Sequence, residues 1–115
     1  AVLMHMGGLV ISADCKNLLH ILINNGAHDS VGGQPTKGTV LDFTKIAKAC
    51  GYGSVSLAQT TEEIAASIQA MLGSGSSAFL EIKCKRGARA DLGRPNRTPA
   101  QNKIDFMQFL KGDYE

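Results

Sequence analysis

A chain of 115 residues is long enough for one domain with a modest core and too short for two. Its 43% hydrophobic content is that of an ordinary globular protein, and 12 basic against 10 acidic residues leave a formal charge of only +2. That balance, with two tyrosines, four phenylalanines and no tryptophan, excludes a polyanion-binding surface of the usual kind, so no nucleic-acid partner is expected.

In chain order, Leu3, Met6, Gly7, Val10 and Asp14 fall near helical spacing and predict a first helix ending about Cys15 to Asn17. The sequence enters this pattern at Ala1 without a methionine, so a piece of a longer protein is expected. Gly7, Gly8 and Asp14 interrupt the apolar opening too soon for a membrane span, and no membrane partner is expected. Two adjacent glycines inside a helix cost roughly 1 kcal/mol each relative to alanine, which requires a compensating close approach to a strand or ligand. Leu18 to Ile23 is a mostly aliphatic run without alternation, the pattern of a central parallel strand covered on both faces.

The run stops on Asn24 and Asn25 and becomes a polar loop carrying Gly26, Gly32, Gly33, Pro35 and Gly38. Loops of that length inside a domain are more often functional than decorative. Open α/β sheets place ligands outside the carboxyl ends of their strands, so the site is expected at Asn24 to Thr36. Asp42 can cap the next helix, with Phe43, Ile46, Ala47 and Cys50 on one face and Gly51 closing it. Ser54 to Leu57 reads as a short strand. Thr60 and Glu63 have capping-box spacing for a helix whose stripe is Ile64, Ile68, Met71 and Leu72, ending at Gly73. Ala78 to Ile82 reads as another strand, and Lys83 to Arg97 as a basic, irregular connection. Thr98, Pro99 and Gln101 supply the cap, first-turn proline and third-position glutamine of a last helix, in which Phe106, Phe109 and Leu110 are expected to be buried.

Helix, strand, loop, helix, strand, helix, strand, helix is the order of an α/β domain: three layers, α/β/α, around a mostly parallel sheet, occupying residues 1–115 as a single domain. Cys15, Cys50 and Cys84 are odd in number and far apart, so neither a disulfide framework nor a zinc site is indicated. Free thiols fit a reducing compartment, and a cytoplasmic location is expected.

Asn24-Asn25 after a hydrophobic strand resembles the second half of the thiamine diphosphate motif, which opens with Gly-Asp-Gly and closes with Asn-Asn. The continuation Gly26-Ala27-His28-Asp29-Ser30-Val31-Gly32-Gly33-Gln34-Pro35-Thr36 is similar to the phosphonopyruvate decarboxylase family. So are Met4-His5-Met6-Gly7-Gly8-Leu9 upstream and Leu92-Gly93-Arg94-Pro95 downstream. The resemblance implies the thiamine diphosphate-binding fold, thiamine diphosphate and Mg2+ as cofactors, and conversion of phosphonopyruvate to phosphonoacetaldehyde and carbon dioxide in phosphonate biosynthesis. It implies that the Asn25 carboxamide and the Ala27 carbonyl ligate the metal, which commonly takes one or two protein groups plus phosphate oxygens and water. Ala1, Met4, His5, Met6, Asn25, Gly26, Ala27, His28 and Asp29 would surround the cofactor. His28 would transfer protons at the reacting centre, and Ser30, Gly33, Gln34 and Arg94 would meet the substrate, Arg94 through its phosphonate. A pyrimidine-binding domain of the same enzyme, carrying an activating glutamate, and a homo-oligomeric assembly are implied partners. The family has Gly-Asp-Gly just before the position of Ala1. The metal-binding aspartate is thus absent from this sequence, and the 115 residues alone are expected to fold as the diphosphate-binding, C-terminal domain without turning over substrate.

Plainer readings stand beside these. Asn24-Asn25-Gly26 also reads as a turn, because asparagine and glycine tolerate positive φ. His28-Asp29-Ser30 is no hydrolytic triad, since three consecutive residues cannot adopt the nucleophile, base and orienter geometry; Asp29 and Ser30 read equally as loop caps. Met4, His5 and Met6 read as core residues of an apolar helix, and His20 as a core histidine with a satisfied ring. Arg86, Arg89, Arg94 and Arg97 read as a solvated basic segment. Gly32 to Thr36 is also similar to a loop of the 2-oxoacid:ferredoxin oxidoreductases, which bind the same cofactor, and sulfopyruvate decarboxylases share the chemistry with a sulfonate in place of the phosphonate. An α/β interaction module without cofactor is the alternative from outside the enzymes.

Overall fold

Two apolar clusters lie on opposite faces of a three-stranded parallel sheet in the computed structural model, which describes residues 2–112. The strands are β1 (Leu19–Asn24), β4 (Ser54–Ala58) and β5 (Ala78–Lys83), in the order β1-β5-β4, with Leu19 and Ser54 both opposite Ala78. Between β1 and β4 the chain makes a small antiparallel pair, β2 (Ala27–His28) and β3 (Gln34–Pro35). On one face α1 (Gly8–Ala13) and α2 (Phe43–Ala49) bury Leu9, Ala13, Phe43 and Ala47 against Tyr52 and Phe79. On the other, α3 (Thr61–Leu72) lays Ile64, Ile68 and Met71 on Ala58, Ala78, Leu80 and Ile82. The architecture is α/β, three-layer α/β/α around a parallel sheet.

Local chemistry sets the element ends. The Asp42 carboxylate accepts from Lys45 N at 3.0 Å and from the Thr44 hydroxyl at 2.6 Å, starting α2. Thr60 and Glu63 form a reciprocal capping box on α3, and Thr98 and Gln101 form another on α4 (Pro99–Lys111), as their spacing predicts. Gly51, at φ +102°, lets Tyr52 N return to Ala47 O at 3.2 Å and close α2.

Four expectations change. The fully covered central strand is β5, whose Ala78, Phe79, Leu80 and Glu81 are all buried, whereas β1 is an edge strand with alternating burial. His20, Leu22 and Asn24 face the α1/α2 side; α3 covers β4 and β5, leaving Leu19, Ile21 and Ile23 exposed, Ile23 by 61%. Second, α1 begins only at Gly8, with Gly7 as its N-cap and turns before it. The two glycines thus stand at the helix start, where the interior cost does not apply, and a Cβ at either would meet nothing within 4 Å, so no close approach is needed. Third, Met4 and His5 lie in this non-helical opening and are exposed, while Met6 packs against the α1/α2 cluster. Fourth, α4 has no buried residue: Phe106 is 60% exposed, and Phe109 and Leu110 are likewise exposed. Residues 83–104 are exposed throughout, so the arm that carries α4 runs clear of the sheet. The Cα radius of gyration is accordingly 17.1 Å, against about 13 Å for a compact chain of this length.

Candidate functional site

The site grows from the last residue of β1. Asn24 turns its carboxamide to the α1/α2 side, where Nδ2 donates to Gly38 O at 2.7 Å and to Glu81 Oε1 at 2.7 Å, while Oδ1 accepts from Gly26 N at 3.1 Å. Both amide hydrogens and one lone pair of the oxygen are thus used. One side chain therefore ties together the end of β1, the turn after it, the returning loop and the central strand. Gly26 has φ +69°, and a Cβ there would lie 2.6 Å from Thr39 Cγ2, so both backbone conformation and space require glycine. Thr36 N donates to Gly26 O at 2.8 Å and Gly38 N to Thr36 Oγ1 at 3.1 Å, closing the corner.

Asn25 is held separately. Its Oδ1 accepts from Ala27 N at 3.1 Å and its Nδ2 donates to Asp29 Oδ2 at 2.7 Å. The same carboxylate accepts from Gly87 N at 2.9 Å and lies 3.7 Å from the Arg86 guanidinium, which also donates to Gly33 O. Arg86 thus clasps the β2–β3 loop to the chain beyond β5. Within the loop Gly33 N donates to His28 O at 2.9 Å, holding His28 at the edge of the short pair.

A cavity of about 100 Å³ opens here, lined by Met4, Asn24, Asn25, Gly26, Ala27 and His28 together with Val2, Leu3 and Phe43. The structure therefore brings Met4, Asn25, Gly26, Ala27 and His28 to one hollow at the carboxyl end of β1. Asp29 adjoins it through Asn25. His5 and Met6 are not among its lining residues. Ser30 and Gln34 are exposed, and Gln34 is turned back to Val31 O at 3.3 Å. Arg94 is exposed on the arm and makes no ion pair or hydrogen bond among the described residues. Ala1 lies outside the described residues.

The donor set bears on whether a magnesium diphosphate fits. Among the described residues no cluster of three His, Cys, Asp or Glu side chains could hold a metal ion. The described residues do not offer a self-sufficient cation cage. The Asn25 carboxamide oxygen, however, has two lone pairs and spends one on Ala27 N–H. A neutral oxygen of this kind beside a strand end suits a cation that arrives with phosphate oxygens and water of its own. Asn25 and Ala27 fit the group in that sense, with Gly26 and His28 as walls.

No protein-family model matches the chain. Over 112 residues, 96% of its length, it is 32% identical to a phosphonopyruvate decarboxylase of Streptomyces viridochromogenes, and over 111 residues, 95% of its length, it is 31% identical to that of Streptomyces hygroscopicus. The chain spans 28% of the length of each of these relatives. It is also 27% identical over 113 residues, 96% of its length, to the sulfopyruvate decarboxylase beta subunit of Methanococcus maripaludis, spanning 60% of that subunit. The chain corresponds to a segment of the phosphonopyruvate and sulfopyruvate decarboxylase family.

Within this segment, sequence reasoning missed two residues that shape the site. The sequence reading places Glu81 simply within the strand Ala78 to Ile82, although an acidic residue inside a run destined for the sheet centre signals a buried polar partner. Arg86 was grouped with three other arginines. Nothing in the spacing says that it, of the four, reaches Gly33 and Asp29. His20, by contrast, is the satisfied core histidine that its setting predicted: Nδ1 lies 2.8 Å from the Tyr52 hydroxyl, its ring packs on Phe79, and burial lowers its pKa.

Proposed function

We propose that this sequence forms the diphosphate-binding part of a thiamine diphosphate- and Mg2+-dependent decarboxylase that converts phosphonopyruvate to phosphonoacetaldehyde and carbon dioxide. The observation that carries the reading is the fixed Asn24-Asn25 corner at the carboxyl end of β1, opening on a hollow shared by Met4, Gly26, Ala27 and His28. The similarity to two phosphonopyruvate decarboxylases over 95% or more of the chain supports the choice of substrate.

When bound, the cofactor supplies the electron sink for the pair left by departing carbon dioxide. The chain's own residues do the rest of what is proposed. Asn25 Oδ1 and the Ala27 carbonyl hold the cation, and Asn24 keeps the turn between them in one conformation. His28, exposed at the rim, is the group that holds or gives a proton at its imidazole. Met4 covers the apolar side of the hollow. Ser30, Gly33, Gln34 and Arg94 do not line the hollow and in this reading meet substrate only in the completed site, where the Arg94 guanidinium, unpaired among the described residues, would take the phosphonate. A pyrimidine-binding domain supplying a glutamate, and assembly into an oligomer, complete the site in this reading, so the 115 residues alone do not turn over substrate.

Carbon dioxide release by the complete protein from phosphonopyruvate, sulfopyruvate and pyruvate tests the assignment. Preference for phosphonopyruvate, dependent on both thiamine diphosphate and Mg2+, is the expected result. A specific observation favours one second reading: the chain covers 60% of the archaeal sulfopyruvate decarboxylase beta subunit, and preference for sulfopyruvate in the same assay would select it.

A further inference from the structure

We infer that Glu81 is a positioning residue, a buried latch that sets the orientation of Asn24 and through it the Asn24-Asn25-Gly26-Ala27 turn. The inference rests on the proposed cofactor site only for its consequence; the latch itself is a matter of geometry. Glu81 sits in the middle of the central strand with 2% of its surface exposed, paired across the sheet with Leu22 on one side and Leu57 on the other. It makes no ion pair among the described residues, and its hydrogen bond is the one from Asn24 Nδ2 at 2.7 Å. A buried carboxyl group is costly without a partner; Glu81 borders a cavity that Thr39, Asp42, Thr44 and Lys83 also line, yet its side-chain hydrogen bond comes from Asn24.

The geometry gives it a task. Asn24 has two amide hydrogens and one carbonyl oxygen, and a carboxamide can be seated in either of two flipped orientations. An acceptor at Glu81 Oε1, with a second acceptor at Gly38 O, admits only the orientation with Nδ2 inward. That leaves Oδ1 to take Gly26 N–H, which holds Gly26 at φ +69° and presents Asn25 and Ala27 to the hollow. Glu81 does not line that hollow, so it acts through Asn24 and not by contact.

The test uses the complete protein and two readouts: amide hydrogen exchange at Gly26 and calorimetric titration with Mg2+-thiamine diphosphate. Glu81→Leu, which leaves an Asn24 donor without its acceptor, is expected to lose Gly26 protection and to bind about tenfold more weakly, the effect of one unpaired buried donor. Glu81→Gln keeps an acceptor oxygen and should stay close to wild type. Asn24→Asp sets two carboxyl groups against each other and also loses the donor to Gly38 O, so it should be impaired in both readouts; adding Glu81→Gln restores the donor and acceptor pair between these two positions and should recover part of the Gly26 protection. This exchange decides the matter even if Glu81→Leu does not fold. Wild-type protection and affinity in Glu81→Leu would overturn the inference, as would an Asn24→Asp defect that Glu81→Gln leaves unchanged. A wild-type protein that binds no cofactor would refute the proposed function instead, while loss and recovery of Gly26 protection would still establish the latch.

Discussion

The corner from Asn24 to Gly38 and the arm from Lys85 to Arg97 are both irregular, both carry glycines, and are treated oppositely by the structure. In the corner, Asn24, Asn25 and Thr36 bond to backbone groups of the same loop or to the neighbouring strand, Asp29 accepts from the Asn25 side chain, and three glycines, Gly26, Gly32 and Gly33, stand at positive φ. Along the arm, ion pairs such as Arg89 with Asp91 at 3.4 Å are solvent-exposed, and α4 buries none of its residues. The difference teaches that side-chain hydrogen bonds, and not regular secondary structure, give the candidate site its shape. The arm adds to it at one place, where Arg86 and Gly87 meet Asp29.

If the corner holds the cofactor, its disruption has the largest effect. Asn25→Ala should weaken Mg2+-thiamine diphosphate binding more than about 100-fold, beyond the range of changes to groups that merely support a ligand. Asn25→Asp, which retains an oxygen, should be milder. Titration of both variants checks this, and equal, unimpaired affinity in the alanine form would remove Asn25 as a ligand.

The arm should matter through charge. Arg94→Ala should cost on the order of 1.5 to 3 kcal/mol in kcat/KM for phosphonopyruvate, the size of one charge-assisted contact, and much less for pyruvate, which has no phosphonate. Equal losses on both substrates would assign Arg94 a structural role. The clasp between the two regions should be weaker: with both partners partly exposed, Arg86→Ala should lower stability by about 1 kcal/mol or less. Its informative readout is proteolysis of the Asp29 to Gly33 loop, expected to accelerate when the guanidinium leaves Gly33.

A pH titration separates core from surface. Burial lowers the His20 pKa from 6.5, so the native state resists protonation. The unfolded chain then binds the proton first, and stability falls as pH drops below about 6.5 toward the lower native value. Thermal melts between pH 8 and 5 should show this fall, and His20→Gln should lessen it. The smallest effect is expected at the far end of the arm: Phe106→Ser, at an exposed position, should change stability by no more than about 0.5 kcal/mol.

How far the sequence reveals this molecule depends on whether the deciding interaction is local. Caps at Asp42, Thr60 and Thr98 and the closing Gly51 are written in four- or five-residue patterns, and all were legible. Strand rank was not: Leu18 to Ile23 is as apolar as Ala78 to Ile82, and only the position of α3 over β4 and β5 makes β1 the edge. Nor was the exposure of Phe106, because a helix can carry an apolar stripe that its own chain does not cover. At the site, Asn25, Gly26, Ala27 and His28 stood out through the loop that bears them. Glu81 and Arg86 reach the corner across 57 and 53 residues of sequence, and no local pattern announces such contacts.

The central claim is that the corner at the end of β1 binds a magnesium diphosphate. Calorimetric titration of thiamine diphosphate into the complete protein, with Mg2+ and then with chelator, tests it most directly. Saturable binding that disappears on chelation and is lost in Asn25→Ala is the predicted result. Absence of binding to the wild-type protein, or binding indifferent to both Mg2+ and Asn25, would contradict it.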